Sequence, residues 1–143
     1  AAWLDSLNLV VGFAEAFKKS PTDIAYPWST HLDGNEFDDH VKINFIYGHG
    51  TSKMIWAKIK PGHQHNKKTT VVGTDYLWAP LVNCDIVAAD PLWQPAVVNA
   101  GQLHDVVDVS ETRICYSFML RHKNSTHRLL WDDAMTLFKD YLE

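Results

Sequence analysis

The chain has 143 residues, 46% of them hydrophobic and 21% charged, which is ample for one packed core and lacks the polar bias of a disordered chain. Seventeen acidic against thirteen basic side chains leave a formal charge of −4; this argues against bulk nucleic-acid binding through phosphate neutralisation and favours a small or neutral partner. No apolar run approaches a membrane span, the N-terminal stretch lacks signal-peptide order, and Cys84 and Cys115 match no zinc spacing, so the expectation is one cytoplasmic domain over residues 1–143 with free thiols.

In chain order, Trp3, Leu4, Leu7, Val10, Val11, Ala14 and Phe17 recur at helical spacing and Ser20-Pro21 closes the pattern, predicting an amphipathic helix over 3 to 19. A series of short segments rich in Val, Ile, Thr and aromatics follows, punctuated by Gly, Pro and Asn/Asp. It predicts strands at Val41 to Tyr47, Lys53 to Ile59, Thr69 to Val72, Asp75 to Trp78, Asp85 to Ala88, Ala96 to Asn99, Leu103 to Val109 and Thr112 to Leu120. The stretch from Pro61 to Lys68 reads as a polar turn. Trp131, Met135, Phe138 and Leu142, with Asp132 and Asp133 in the first turn, predict a closing helix over about 130 to 142. About eight strands with flanking helices fit a mainly β fold, a double-sheet jelly roll or a small barrel.

Chemistry-bearing residues gather in a few places. In Tyr26-Pro27-Trp28-Ser29-Thr30-His31-Leu32-Asp33-Gly34, His31 and Asp33 stand two apart beside a strand, so both point to one face. Imidazole and carboxylate there supply two ligands of a three-ligand face of the kind that holds Fe(II) and leaves positions open. Downstream, His104 opens one strand and Arg113 opens the next, where Arg113, Cys115, Ser117 and Met119 share a face. A guanidinium on a buried strand requires an anion, either a bound acid or Asp105 or Asp108 across the hairpin.

The order His31-x-Asp33, then His104, then Arg113 with Ser117 behind it resembles the pattern of the Fe(II)- and 2-oxoglutarate-dependent oxygenases. The likeness runs over about residues 26 to 120, and compact phage and marine-microbial members are similar in Val41-Lys42-Ile43-Asn44-Phe45 and Asn99-Ala100-Gly101. It implies a cupin-like double-stranded β-helix with iron on His31, Asp33 and His104. Arg113 would grip the distal carboxylate of 2-oxoglutarate. It also implies that O2 is consumed as 2-oxoglutarate becomes succinate and CO2 and a substrate C–H bond is hydroxylated. The family's serine lies two residues after the arginine; here Cys115 holds that place and Ser117 follows, so either side chain is a candidate for the second contact. Asn44, beside the site, is a candidate for the keto-acid end, with Tyr47 on the opposite face. Tyr47, Trp56, Trp78 and Trp93 are candidate walls.

Two rival readings stand beside this one. His63 and His65 after Pro61-Gly62 look like the opening of a cupin metal motif, although Asn66, Lys67 and Lys68 follow where an acidic ligand belongs; a solvated turn is the plainer reading. The other rival is a non-catalytic β-sandwich binding module with incidental His and Asp residues. His40, His49, His122 and His127 sit in polar stretches and read as surface groups. Zinc or nickel would compete with iron for such N/O ligands. No membrane partner is expected, the substrate is not legible, and the short chain leaves room for a homodimer that completes the pocket.

Overall fold

A computed structural model describes residues 2–22, 29–48 and 50–142. It is mainly β: two antiparallel sheets and two short α-helices. Among the described residues no helix is long and apolar enough to cross a membrane. Tyr26, Pro27 and Trp28, which open the stretch singled out above, and His49 lie outside the described residues.

The N-terminal helix expected over 3 to 19 is a correction. A five-residue helix, α1 (Ala2–Ser6), ends where Asn8 takes a left-handed conformation, and the chain then runs as an eleven-residue strand, β1 (Leu9–Lys19). β1 pairs along its length with β10 (Arg113–His122), with a register shift between Val11 and Phe13. That shift reverses which face the odd-numbered residues occupy. Leu9 therefore packs outward beneath the C-terminal helix, whereas Phe13 and Phe17 pair with Met119 and Cys115 and turn inward. One apolar set serving two faces breaks the period-2 signature and leaves a helix-like one.

The remaining strands are β2 (Ser29–Leu32), β3 (Val41–Tyr47), β4 (Lys53–Ile59), β5 (Asn66–Thr69), β6 (Asp75–Pro80), β7 (Cys84–Asp90), β8 (Ala96–Asn99) and β9 (His104–Val107). The strand expected at Thr69 to Val72 lies earlier, at β5, inside the stretch read as a polar turn. Residues 70–74 form the hairpin tip, closed by Thr70 N–H to the Thr74 carbonyl at 2.8 Å, with Gly73 at φ +84°. A β-branched residue resists that left-handed conformation and glycine accepts it, so the turn falls on Gly73. β9 stops at Val107 because Asp108 turns left-handed.

One sheet has the order β1-β10-β3-β8 and the other β5-β6-β2-β9-β4-β7. Met54 and Trp56 of the second pack against Val98, Ile46 and Ala96 of the first, so the sheets meet face to face. The outer face of the four-stranded sheet is covered by α2 (Trp131–Phe138), whose Ala134 and Phe138, one helical turn apart, bury against Leu9, Val41 and Leu120. Each large apolar side chain buried there contributes about 1.5–3 kcal/mol. His40, expected at the surface, is fully buried where β3 begins; its Nδ1 is held by the Asp38 carboxylate and burial pushes its pKa down.

Candidate metal centre

His31 on β2 is the direct cross-strand partner of His104 on β9. Residues opposite each other in an antiparallel pair project from the same face, and the two imidazoles stand with centroids 4.7 Å apart on the inner face of the six-stranded sheet. Asp33 lies just past β2, its backbone N–H donating to the Ala100 carbonyl at 3.1 Å. This bond ties the turn carrying Asp33 to the segment that leads into His104. One Asp33 oxygen is 3.6 Å from His31 Nε2 and the other 3.9 Å from His104 Nε2. The ligand atoms of all three lie within 4.8 Å of one another, a His-Asp-His group that could hold a metal ion. Two atoms each about 2.1 Å from a shared ion stand about 3 Å apart, so small side-chain adjustments would close the group on a cation.

The surroundings prepare the ligands. His104 Nδ1 lies 2.8 Å from the Gln102 carbonyl, which fixes the proton on Nδ1 and turns the Nε2 lone pair toward Asp33, the usual support of a metal-binding histidine. Burial, reinforced by repulsion from His31, holds the His104 pKa down at about 4, so its imidazole is neutral at pH 7. For Asp33, burial alone would raise the pKa, but the charges of protonated His104, of Lys42 and of protonated His31, with a hydrogen bond from Lys42, bring it to about 2. Lys42 Nζ donates to Asp33 at 2.8 Å and also to Glu15.

Arg113, Cys115 and Ser117 are all buried and line, with the trio and Asn44, a cavity of about 240 Å³. Both carboxylates weighed as structural partners for Arg113 are engaged elsewhere: Asp105 with Lys19 at 3.1 Å and Asp108 with Lys53 at 2.9 Å. Arg113 Nε is buried without a hydrogen-bond partner, and among the described residues Arg113 makes no ion pair with a carboxylate. Ser117 donates to Asn44 Oδ1 at 2.6 Å across the strand pair, which leaves the Asn44 amide NH2 as a donor. Burial raises the Cys115 pKa and keeps it a thiol.

Other expectations are revised. Tyr47 lies on the face opposite Asn44, and Trp93 borders a separate groove, so neither walls this cavity. Trp56 is a core residue whose indole N–H donates to the Asn99 carbonyl at 2.8 Å. Met54 and Phe17 take the place of walls. His63 and His65 are exposed, His65 packs on Phe37, and neither joins a metal-competent group among the described residues. Sequence reading missed Lys42, Glu15 and Gln102. Lys42 was accessible by parity, two residues before Asn44 on one strand; Glu15 was hidden by the helical reading of β1.

Fold and site together define a two-sheet antiparallel β protein with a half-buried His-Asp-His group beside an arginine that has no carboxylate partner among the described residues. Comparison with family models, curated proteins and solved structures gives no match to this chain.

Proposed function

We propose that this protein is an Fe(II)- and 2-oxoglutarate-dependent oxygenase built on a jelly roll. The observation that carries the reading is the buried Arg113, which has no carboxylate counter-ion among the described residues and opens into the same small cavity as His31, Asp33 and His104. A guanidinium cannot shed its charge, and its planar fork matches a carboxylate. An organic acid reaching from that fork toward the metal group supplies the missing anion. The strand order supports the fold: without the β5–β6 hairpin the sheets run β1-β10-β3-β8 and β2-β9-β4-β7, and the chain changes sheet at every step except β4 to β7. That is the order of an eight-stranded jelly roll.

Iron with its keto acid would couple decarboxylation of 2-oxoglutarate to O2-dependent oxidation of a substrate C–H bond. The chain's own residues do the rest. His31, Asp33 and His104 bind the ion through two neutral nitrogens and one carboxylate, leaving coordination positions for small molecules. Arg113 orients the acid's far carboxylate. Asn44 and Ser117 offer amide and hydroxyl donors to its nearer end. Met54, Val98 and Ala100 exclude water from that side of the cavity.

The test is anaerobic addition of Fe(II) and 2-oxoglutarate to chelator-stripped protein, monitored by visible absorption. A charge-transfer band is expected with both ligands, and its loss in His104→Ala. Folded protein that takes up iron without such a band, or whose band survives in His104→Ala, overturns the assignment.

A further inference from the structure

Next to the cavity that contains Arg113 lies a second and larger one, of about 650 Å³, whose wall includes His31, Asp33 and Lys42. The two chambers share His31, Asp33, Lys42 and Phe17, whereas His104 and Arg113 line only the smaller. Four side chains set the chemistry of the larger one. Phe13 is 54% exposed although it points to the inner face of the sandwich, and β1, which carries it, is an edge strand. Met119 is its cross-strand neighbour. From the other sheet, Tyr76 stands edge-on to His31 with centroids 6.4 Å apart, and Val72 projects from the tip of the β5–β6 hairpin.

The charged groups that border this chamber are already compensated. Glu15 is paired with Lys42, and Lys42 also with Asp33. Asp75 is held by Lys67 and by the Thr69 hydroxyl. Arg128 donates to the Asp33 carbonyl at 3.1 Å and faces Asp38 at 4.0 Å. No lone charge among these is left to neutralise an ionised ligand, and bringing one in would cost desolvation without return. Aromatic edges and faces with a thioether favour a flat apolar ring.

We propose that this second chamber is the binding site for the molecule to be oxidised and that it takes an uncharged aromatic ring, delivered edge-first toward His31 between Phe13 and Tyr76. The proposal rests on the oxygenase reading above and adds a substrate class to it. The β5–β6 hairpin, an addition to the eight-stranded arrangement, supplies one wall through Val72 and Tyr76.

The probe is 2-naphthol, with Mn(II) as a paramagnetic stand-in for the metal and naphthalene-2-sulfonate as the charged control, all with the full chain. Mn(II) uptake is first measured by electron paramagnetic resonance, then broadening of the 2-naphthol proton signals by bound Mn(II). Saturable broadening is expected, with at least tenfold weaker binding in Phe13→Glu or Tyr76→Ala. The further stabilisation that 2-oxoglutarate adds to that of Mn(II) should persist in Phe13→Glu, whereas Arg113→Met should lose it and still bind Mn(II) and 2-naphthol. Mn(II) uptake without broadening, equal binding of the sulfonate, or unchanged 2-naphthol binding in both chamber variants overturns the aromatic-site proposal and leaves the oxygenase reading standing. Absence of Mn(II) uptake in folded protein overturns the oxygenase reading itself, and this proposal with it.

Discussion

Arg113 illustrates how a single residue can be expensive to the fold and useful to the site. It is 5% exposed, burial lowers its pKa, and Asp105 and Asp108 across the hairpin are occupied by Lys19 and Lys53. Removing a buried charge that has no carboxylate partner among the described residues relieves a desolvation cost, so Arg113→Met should leave the ligand-free protein as stable as before or more stable by about 1–3 kcal/mol. The same change should weaken 2-oxoglutarate binding at least tenfold, because a charge-assisted hydrogen bond contributes about 1.5–3 kcal/mol. Urea unfolding and isothermal titration in the presence of Mn(II) measure the two effects. A large loss of stability with unaltered 2-oxoglutarate affinity would make Arg113 a structural residue. At this scale the sequence was informative where parity applied: His31 and Asp33, and Arg113, Cys115 and Ser117, project as their spacing in strands requires. It was silent on the pairing of Lys42 with Asp33 and Glu15, which only the strand arrangement brings together, and on Gln102, whose backbone carbonyl holds the His104 ring two residues on.

Among the elements, the turn between β8 and β9 sets the geometry of the centre. Ala100 N–H and Gly101 N–H both donate to the His40 carbonyl, and the Ala100 carbonyl receives the N–H of Asp33. Gly101 lies so close to Asp38 that a Cβ would collide with its backbone carbonyl and its carboxylate. Backbone cannot retreat as a flexible side chain can, so Gly101→Ala should cost about 1–3 kcal/mol. It should also weaken metal binding by displacing the Asp33 turn from His104. Denaturant melts with and without Zn(II) read both effects; unchanged stability and unchanged zinc affinity would show that the turn tolerates the displacement. Strands β3, β4 and β8 were legible to the residue because their apolar runs end at clear turn signals. β1 was not, since the register shift after Val11 divides its apolar residues between two faces. β5 was not, since a wholly exposed Asn-Lys-Lys-Thr strand carries no hydrophobic pattern and is fixed only by pairing with β6.

Across the whole molecule, the pairing of β1 with β10 and of β2 with β9 joins N-terminal strands to C-terminal ones. No local period encodes such pairings; they follow from which faces must be buried together. One consequence is global: folding buries His104 and half-buries Asp33 between the sheets, so their protonation is linked to unfolding. In metal-free protein His104 has a pKa of about 4 against 6.5 when unperturbed, and burial also lowers that of His40. The unfolded chain therefore takes up these protons first, and stability must fall as pH drops from about 6.5 toward 4, with His104 contributing on the order of 3 kcal/mol. Asp33, lowered from 3.8 to about 2, acts in a separate window: its contribution is present above about pH 4 and is lost as pH falls through 2. Urea unfolding in chelator from pH 7.5 to 4.5 should show the first decline, and His104→Gln should flatten most of it while leaving the smaller part due to His40. Stability that is level or rises toward pH 4.5 would mean that the imidazole of His104 is not held neutral by its surroundings. The neutral Nε2 acceptor that His104 offers beside Asp33 would then lose its physical basis.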